Sequence, residues 1–209
     1  MTTSEPTTNE AMEAVISAEL EERDPFSGVA DATDAHRETH GDCDAFPSRP
    51  GHLLGALAGA TGAERILEIG GGCGYSTLWL ALGAGPSGRV ETIEDDGAHV
   101  ELLRESIALH GYDDRITVHE GRDDETVTGL SGPYDLIFYD AAVPAPSLID
   151  DAKRLLRRGG LLVASNLFLG RYVPDHPDLA RGAEFRRRML DIDEWLTSFA
   201  NGKLLAVRR

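Results

Sequence analysis

Arg65–Ser76 reads RILEIGGGCGYS, and this stretch decides the fold. A short apolar run carries one acidic residue, Glu68. Glycines then recur at Gly70, Gly72 and Gly74, and Tyr75-Ser76 open an apolar-rich segment. A strand that runs into a glycine turn and then a helix lets backbone N–H groups approach a ligand closely. Such a unit opens the nucleotide-type α/β folds. Glu68 stands where a carboxylate would meet a cationic group of the ligand rather than a pyrophosphate. That favours S-adenosylmethionine over a dinucleotide as the cofactor.

Outward from this unit, strand and helix alternate. Strands are expected at Ile66–Ile69, Val90–Glu94, Ile116–His119, Leu136–Asp140 and Leu161–Ser165. Helices are expected at about Tyr75–Leu82, Gly97–His110, Asp123–Leu130 and Ser147–Arg157, with a later one near Gly182–Asp193. The strands are short and apolar throughout, as in a parallel sheet covered on both faces. The expected fold class is therefore α/β: a Rossmann-like, doubly wound, mostly parallel sheet with helices on both faces. Asn201-Gly202 between two apolar-rich runs is a two-residue hairpin signal, so the sheet should end in an antiparallel hairpin. Near the late helix, Phe185, Met189 and Ile192 are expected to face the core, and Arg186–Arg188 to face solvent.

Two helices are expected before the glycine unit. Met12, Val15, Ile16 and Leu20 repeat at helical spacing within Asn9–Arg23, and Leu53, Leu54 and Leu57 do so within Pro50–Ala60. Asp24–Pro47 has no clear period and reads as a long irregular connection, the kind that often serves as a lid. The organisation expected is an N-terminal helix and lid-like segment over residues 1–47, then an α/β cofactor-binding domain over 48–209. His36 and His40 in this segment read as surface residues or, alternatively, as working residues of the lid.

Composition narrows the function. The chain has 209 residues with 36 acidic against 20 basic side chains, a formal net charge of −16. Such a surface repels nucleic acid and anionic membranes, so neither is an expected partner. Only two of the basic residues, Lys153 and Lys203, are lysines, a bias that suits a salt-rich cytoplasm. No apolar run spans a bilayer, and the first residues lack a basic start and apolar core of a secretory signal; a cytoplasmic location is expected. Cys43 and Cys73 show no CxxC spacing and suggest neither a disulfide framework nor a zinc site. Cys73 fits as a small packing residue in the turn.

The segments LEIGGGCGYSTLWLA, VETIEDD, RITVHEG, YDLIFYDA, RLLRRGGLLVASN and NGKLLAVRR, taken in order, resemble the catechol and caffeoyl-CoA type O-methyltransferases. The resemblance covers roughly Pro50 to Arg209. It implies S-adenosylmethionine as cofactor and methyl transfer to a hydroxyl of a small molecule, by a protein that is often a homodimer. Gly70 and Gly72 would admit the methionine part, with Glu68 holding its amino group directly or through water. Ser76 resembles the family serine at the carboxylate. Glu94 ends the second strand 20 residues after Gly74, where an acidic side chain accepts the ribose hydroxyls. Gly121, Arg122 and Asp123 match the segment beside the adenine. Asp140 and Asn166 match residues at the reacting end, Asp140 also touching the cofactor.

The chain departs from the family in two places. The family's Asp-Asn pair of metal ligands is here Ser165-Asn166, and its frequent lysine three residues after the first aspartate is Val143. One carboxylate with neutral neighbours suits a hard dication poorly, so weak metal binding or none is expected. Tyr172, Asp175 and His176 border the acceptor pocket in the family and are candidate bases. Two other readings stay open: an S-adenosylmethionine-binding protein that has lost catalysis, and a tRNA-modifying methyltransferase. A dinucleotide oxidoreductase is disfavoured by Glu68 and the terminal hairpin.

Overall fold

The structure, a computed structural model, describes residues 8–41, 43–167 and 179–209. Seven strands form one sheet: β1 (Arg65–Ile69), β2 (Arg89–Glu94), β3 (Ile116–Glu120), β4 (Tyr134–Tyr139), β5 (Leu156–Ala164), β6 (Trp195–Ala200) and β7 (Lys203–Arg208). Their spatial order is β3-β2-β1-β4-β5-β7-β6. β1 to β5 run parallel; β7 pairs antiparallel with both β5 and β6. The β6–β7 turn is Asn201-Gly202, with φ of +48° and +75°, the left-handed pair a tight hairpin of this hand requires.

Period-two alternation sorts side chains to two cores. Ile66, Leu136 and Phe138 face one side and meet Leu54 of α3 (His52–Ala60), Leu78 of α4 (Tyr75–Gly83) and Leu103 of α5 (Gly97–Leu109). Leu67, Ile69 and Ile137 face the other side. There they meet Val127 of α6 (Asp123–Gly129), Ile149 of α7 (Pro146–Leu155) and Phe185 of α8 (Leu179–Met189). The order of strands reverses between β1 and β4, the switch point at which open α/β sheets bind ligands.

Several boundaries differ from expectation. The Asp24–Pro47 connection is largely a helix, α2 (Ser27–Thr39). Its buried side is made of Val29, Ala30 and Thr33, too small and too few to show as an apolar stripe. Phe26, just before it, packs edge-on to Trp79 with ring centroids 5.5 Å apart, which ties α2 into the first core. β5 starts five residues earlier than the Leu161 start expected, at Leu156, because Gly159-Gly160 lie within the strand instead of a preceding turn. α7 correspondingly stops at Leu155. β4 stops at Tyr139, leaving Asp140 just past its end. α8 is shifted towards the N-terminus; Phe185 and Met189 are buried, but Ile192 lies beyond the helix and is 66% exposed. α1 (Asn9–Glu21) forms where expected, capped by Thr8 Oγ1 accepting from Ala11 N, yet Met12, Val15 and Ile16 are exposed. Tyr172, Asp175 and His176 lie outside the described residues.

Candidate active site

The glycine turn is built by backbone needs at specific positions. Gly70 has φ +93°, and a Cβ there would lie 2.8 Å from Ala141 N, so the turn abuts the chain leaving β4. Gly70 N and Gly71 N both donate to Ile93 O at 3.0 Å, and Gly72 N donates to Glu94 Oε2 at 2.7 Å. The end of β2 thus clamps the turn after β1. A cavity of about 560 Å³ opens above the carboxyl ends of these strands.

Most of the residues singled out in the sequence surround this cavity. Gly70, Gly72 and Ser76 form its floor beside the start of α4. Glu94, Gly121 and Asp123 line one end, and Asp140 and Asn166 the other. Two do not line it. Arg122 points outward and makes a two-pronged ion pair with Asp124, at 3.1 and 2.8 Å, since the residue before α6 faces solvent. Glu68 lies fully buried beneath the turn. Its Oε2 accepts from Thr92 Oγ1 at 2.7 Å and from Thr77 Oγ1, while Oε1 is buried with no partner among the described residues. Burial pushes its pKa up to about 7, against the pull of the hydroxyls of Ser76, Thr77 and Thr92. Direct contact with a ligand in the cavity is not what this position offers.

At the other end, Asn166 Nδ2 donates weakly to Asp140 Oδ1 at 3.3 Å. Asn166 adopts φ +60°, a left-handed conformation that asparagine tolerates. Burial raises Asp140 to about 6, opposed by the charge of Lys203 and by the hydroxyls of Ser165 and Ser48. Lys203, at the start of β7, donates from Nζ to Ser48 Oγ at 2.8 Å, and burial lowers its own pKa. An ammonium therefore sits near the single carboxylate where the family resemblance would place a dication. Ser165 is buried beside Asp140 and offers only a neutral donor. This donor set does not fit Mg²⁺, which favours carboxylate oxygens and an uncrowded charge. Val143, at the family's lysine position, is buried at 2% exposure and gives no donor.

Part of the wall comes from residues the sequence did not mark. Asp44, Ala45, Phe46 and Pro47, after α2, line the cavity with Thr33 and His99. Phe46 is 65% exposed at the rim, with the Arg37 guanidinium 3.5 Å from its ring centre. An exposed aromatic held by a cation at a cavity mouth was visible in the sequence only as a lone Phe in a polar run. Lys203 was hidden for another reason: its partners Ser48 and Asp140 are far away in the chain.

Comparison with known proteins agrees with this geometry. The sequence profile of the O-methyltransferase family matches residues 31–198. A catechol O-methyltransferase of Mycobacterium tuberculosis is 40% identical over 147 residues, covering 69% of this chain and 67% of that protein. Among solved structures, cofactor-bound Rv0187 from MTB superposes with a TM-score of 0.79 at 32% identity, covering 98% and 99% of the two chains. The O-methyltransferase TomG from Streptomyces achromogenes, in complex with SAM, gives a TM-score of 0.77 at 29% identity over 93% and 96%. The fold and site define a class I S-adenosylmethionine-dependent methyltransferase. The chain belongs to the O-methyltransferase family.

Proposed function

We propose that this enzyme methylates a hydroxyl of a small molecule and does so without the divalent ion common among its relatives. Lys203 carries this reading: bonded to Ser48 and outside the cavity lining, its charge favours the ionised form of Asp140 where a dication would otherwise do so. The glycine turn, Ser76, Glu94 and Asp123 would hold S-adenosylmethionine, with Glu68 reaching its amino group through water. When bound, that cofactor supplies a methyl group on a sulfonium, which a hydroxyl oxygen takes in one displacement as the carbon–sulfur bond breaks.

The chain's own residues then have limited work. Asp140 takes the hydroxyl proton, and Lys203 holds Asp140 ionised despite its burial. Asn166 fixes the carboxylate's direction. Phe46 and the other residues after α2 cover the cavity and exclude water. Orientation and charge placement supply most of the rate. The catechol-methylating relative makes ortho-diphenols the first acceptors to try. The net charge of −16 disfavours tRNA. The test is transfer of labelled methyl from S-adenosylmethionine to a panel of catechols, other phenols and aliphatic alcohols, with bulk tRNA alongside. Label in a small-molecule ether supports the reading; label in tRNA alone overturns it.

A further inference from the structure

Three histidines meet beside the cofactor cavity, and the methyl-transfer chemistry uses none of them. His36 and His40 lie one turn apart at the end of α2, their rings stacked with centroids 4.6 Å apart and planes 23° from parallel. His99, in the first turn of α5, comes in from the other side. Its ring centre is 5.4 Å from that of His36 and 5.6 Å from that of His40. One ring nitrogen from each lies within 4.8 Å of the other two. His99 is 2% exposed, and the other two are half-buried.

The surroundings are those of a ligand set. His36 Nε2 is buried with no hydrogen-bond partner among the described residues. Leaving such an atom orphaned is costly unless something binds it. Cys43 Sγ lies 3.2 Å from His99 Nε2, outside the group the three rings form, and would join it as a soft donor by turning towards His36 and His40. Glu94 Oε1 stands 3.4 Å from His99 Nδ1, and Asp96 Oδ2 stands 3.2 Å from His40 Nε2. Carboxylates behind imidazoles are the usual means of orienting metal-binding rings.

We propose that His36, His40 and His99, with Cys43 as fourth donor, bind a borderline transition-metal dication, Zn²⁺ in the first instance, that staples α2 to α5. Three imidazoles and a thiol suit Zn²⁺ and exclude Mg²⁺ or Ca²⁺, which require oxygen. Tetrahedral ligation at about 2.0–2.1 Å needs donor nitrogens about 3.4 Å apart. Small side-chain rotations of the two half-buried rings on α2 supply the contraction from 4.8 Å. The consequence lies in the cavity wall. α2 leads directly into Asp44–Pro47, and both that segment and His99 line the cavity. A filled site would fix this wall and tighten cofactor binding without touching the reacting end.

The experiment uses the full chain without a polyhistidine tag, stripped by chelator and desalted, then titrated with Zn²⁺ and Co²⁺. One ion per chain should bind, with the intense visible absorption of four-coordinate Co²⁺. A thiolate-to-cobalt charge-transfer band should vanish in Cys43→Ser while the visible bands persist. His36→Gln and His40→Gln should each weaken binding roughly a hundredfold or more, whereas Asp140→Asn should leave it intact. Zn²⁺ should raise the melting temperature by roughly 5 °C. Circular dichroism checks that each variant folds, and if one does not, the other histidine variant and Cys43→Ser carry the comparison. Binding that is equal in wild type and histidine variants would overturn the site. Zinc that binds without tightening S-adenosylmethionine would overturn its role as a staple. Neither readout depends on acceptor identity or turnover.

Discussion

Glu94 Oε2 accepts a hydrogen bond from Gly72 N at 2.7 Å, so the carboxylate expected to meet the ribose also holds the glycine turn. Its other oxygen accepts from Asp96 N at 3.1 Å and stands 3.4 Å from His99 Nδ1, and the residue lines the cavity. Glu94→Ala should therefore cost more than two ribose hydrogen bonds, which alone would be worth about 2–4 kcal/mol. Calorimetric titration with S-adenosylmethionine or its demethylated product gives the number. Equal affinities in wild type and variant would remove Glu94 from the site.

Glu68 gives the protein a signature in pH. Its folded pKa of about 7 lies above the ordinary 4.5, so between these values the native state holds a proton that the unfolded state has lost. Stability should fall as pH rises through this window, by up to about 3 kcal/mol. Asp140, raised to about 6, adds a slope of the same sign. Glu68→Gln should flatten most of the dependence, read as denaturation midpoints between pH 5 and pH 8. Parallel curves for the two proteins would show that Glu68 is not buried as described.

Lys203→Met keeps the length of the side chain and removes its charge. Asp140 would then lose the cation that opposes its burial and would hold its proton to higher pH. The expected result at neutral pH is a drop in kcat of roughly tenfold or more, with little change in cofactor affinity. Unchanged kcat would show that Lys203 serves only Ser48 and the packing of β7.

Restoring the missing carboxylate should reverse the metal preference of the reacting end. Ser165 is buried beside Asp140, so Ser165→Asp places a second negative charge against the first. Mn²⁺ should bind this variant more tightly than wild type, as followed by titration. No gain would mean that the Lys203 ammonium blocks the position even when two carboxylates are present.

Much of this was legible in the chain because the signals are local. RILEIGGGCGYS contains its strand, turn and helix in sequence order, and Asn201-Gly202 contains its own hairpin. What could not be read depends on distance along the chain. α2 buries only small side chains, so its helix left no stripe. Lys203 reaches Ser48 across 155 positions, and His99 meets His40 only after α2 packs on α5. Glu68 was legible as a carboxylate at the glycine turn. That it points under the turn rather than into the cavity follows from Thr77 and Thr92, which the sequence does not relate to it.

If Asp140 takes the hydroxyl proton without help from a divalent ion, methyl transfer should withstand chelation but not loss of that carboxylate. Product formation from labelled S-adenosylmethionine and a catechol is followed for wild type and Asp140→Asn. Both run at saturating cofactor, with excess chelator and, separately, with added Mg²⁺. Wild type should turn over equally in both conditions, and Asp140→Asn should lose roughly a hundredfold or more of kcat in each. Complete loss of wild-type activity with chelator, restored by Mg²⁺, would show that a divalent ion takes part in the transfer.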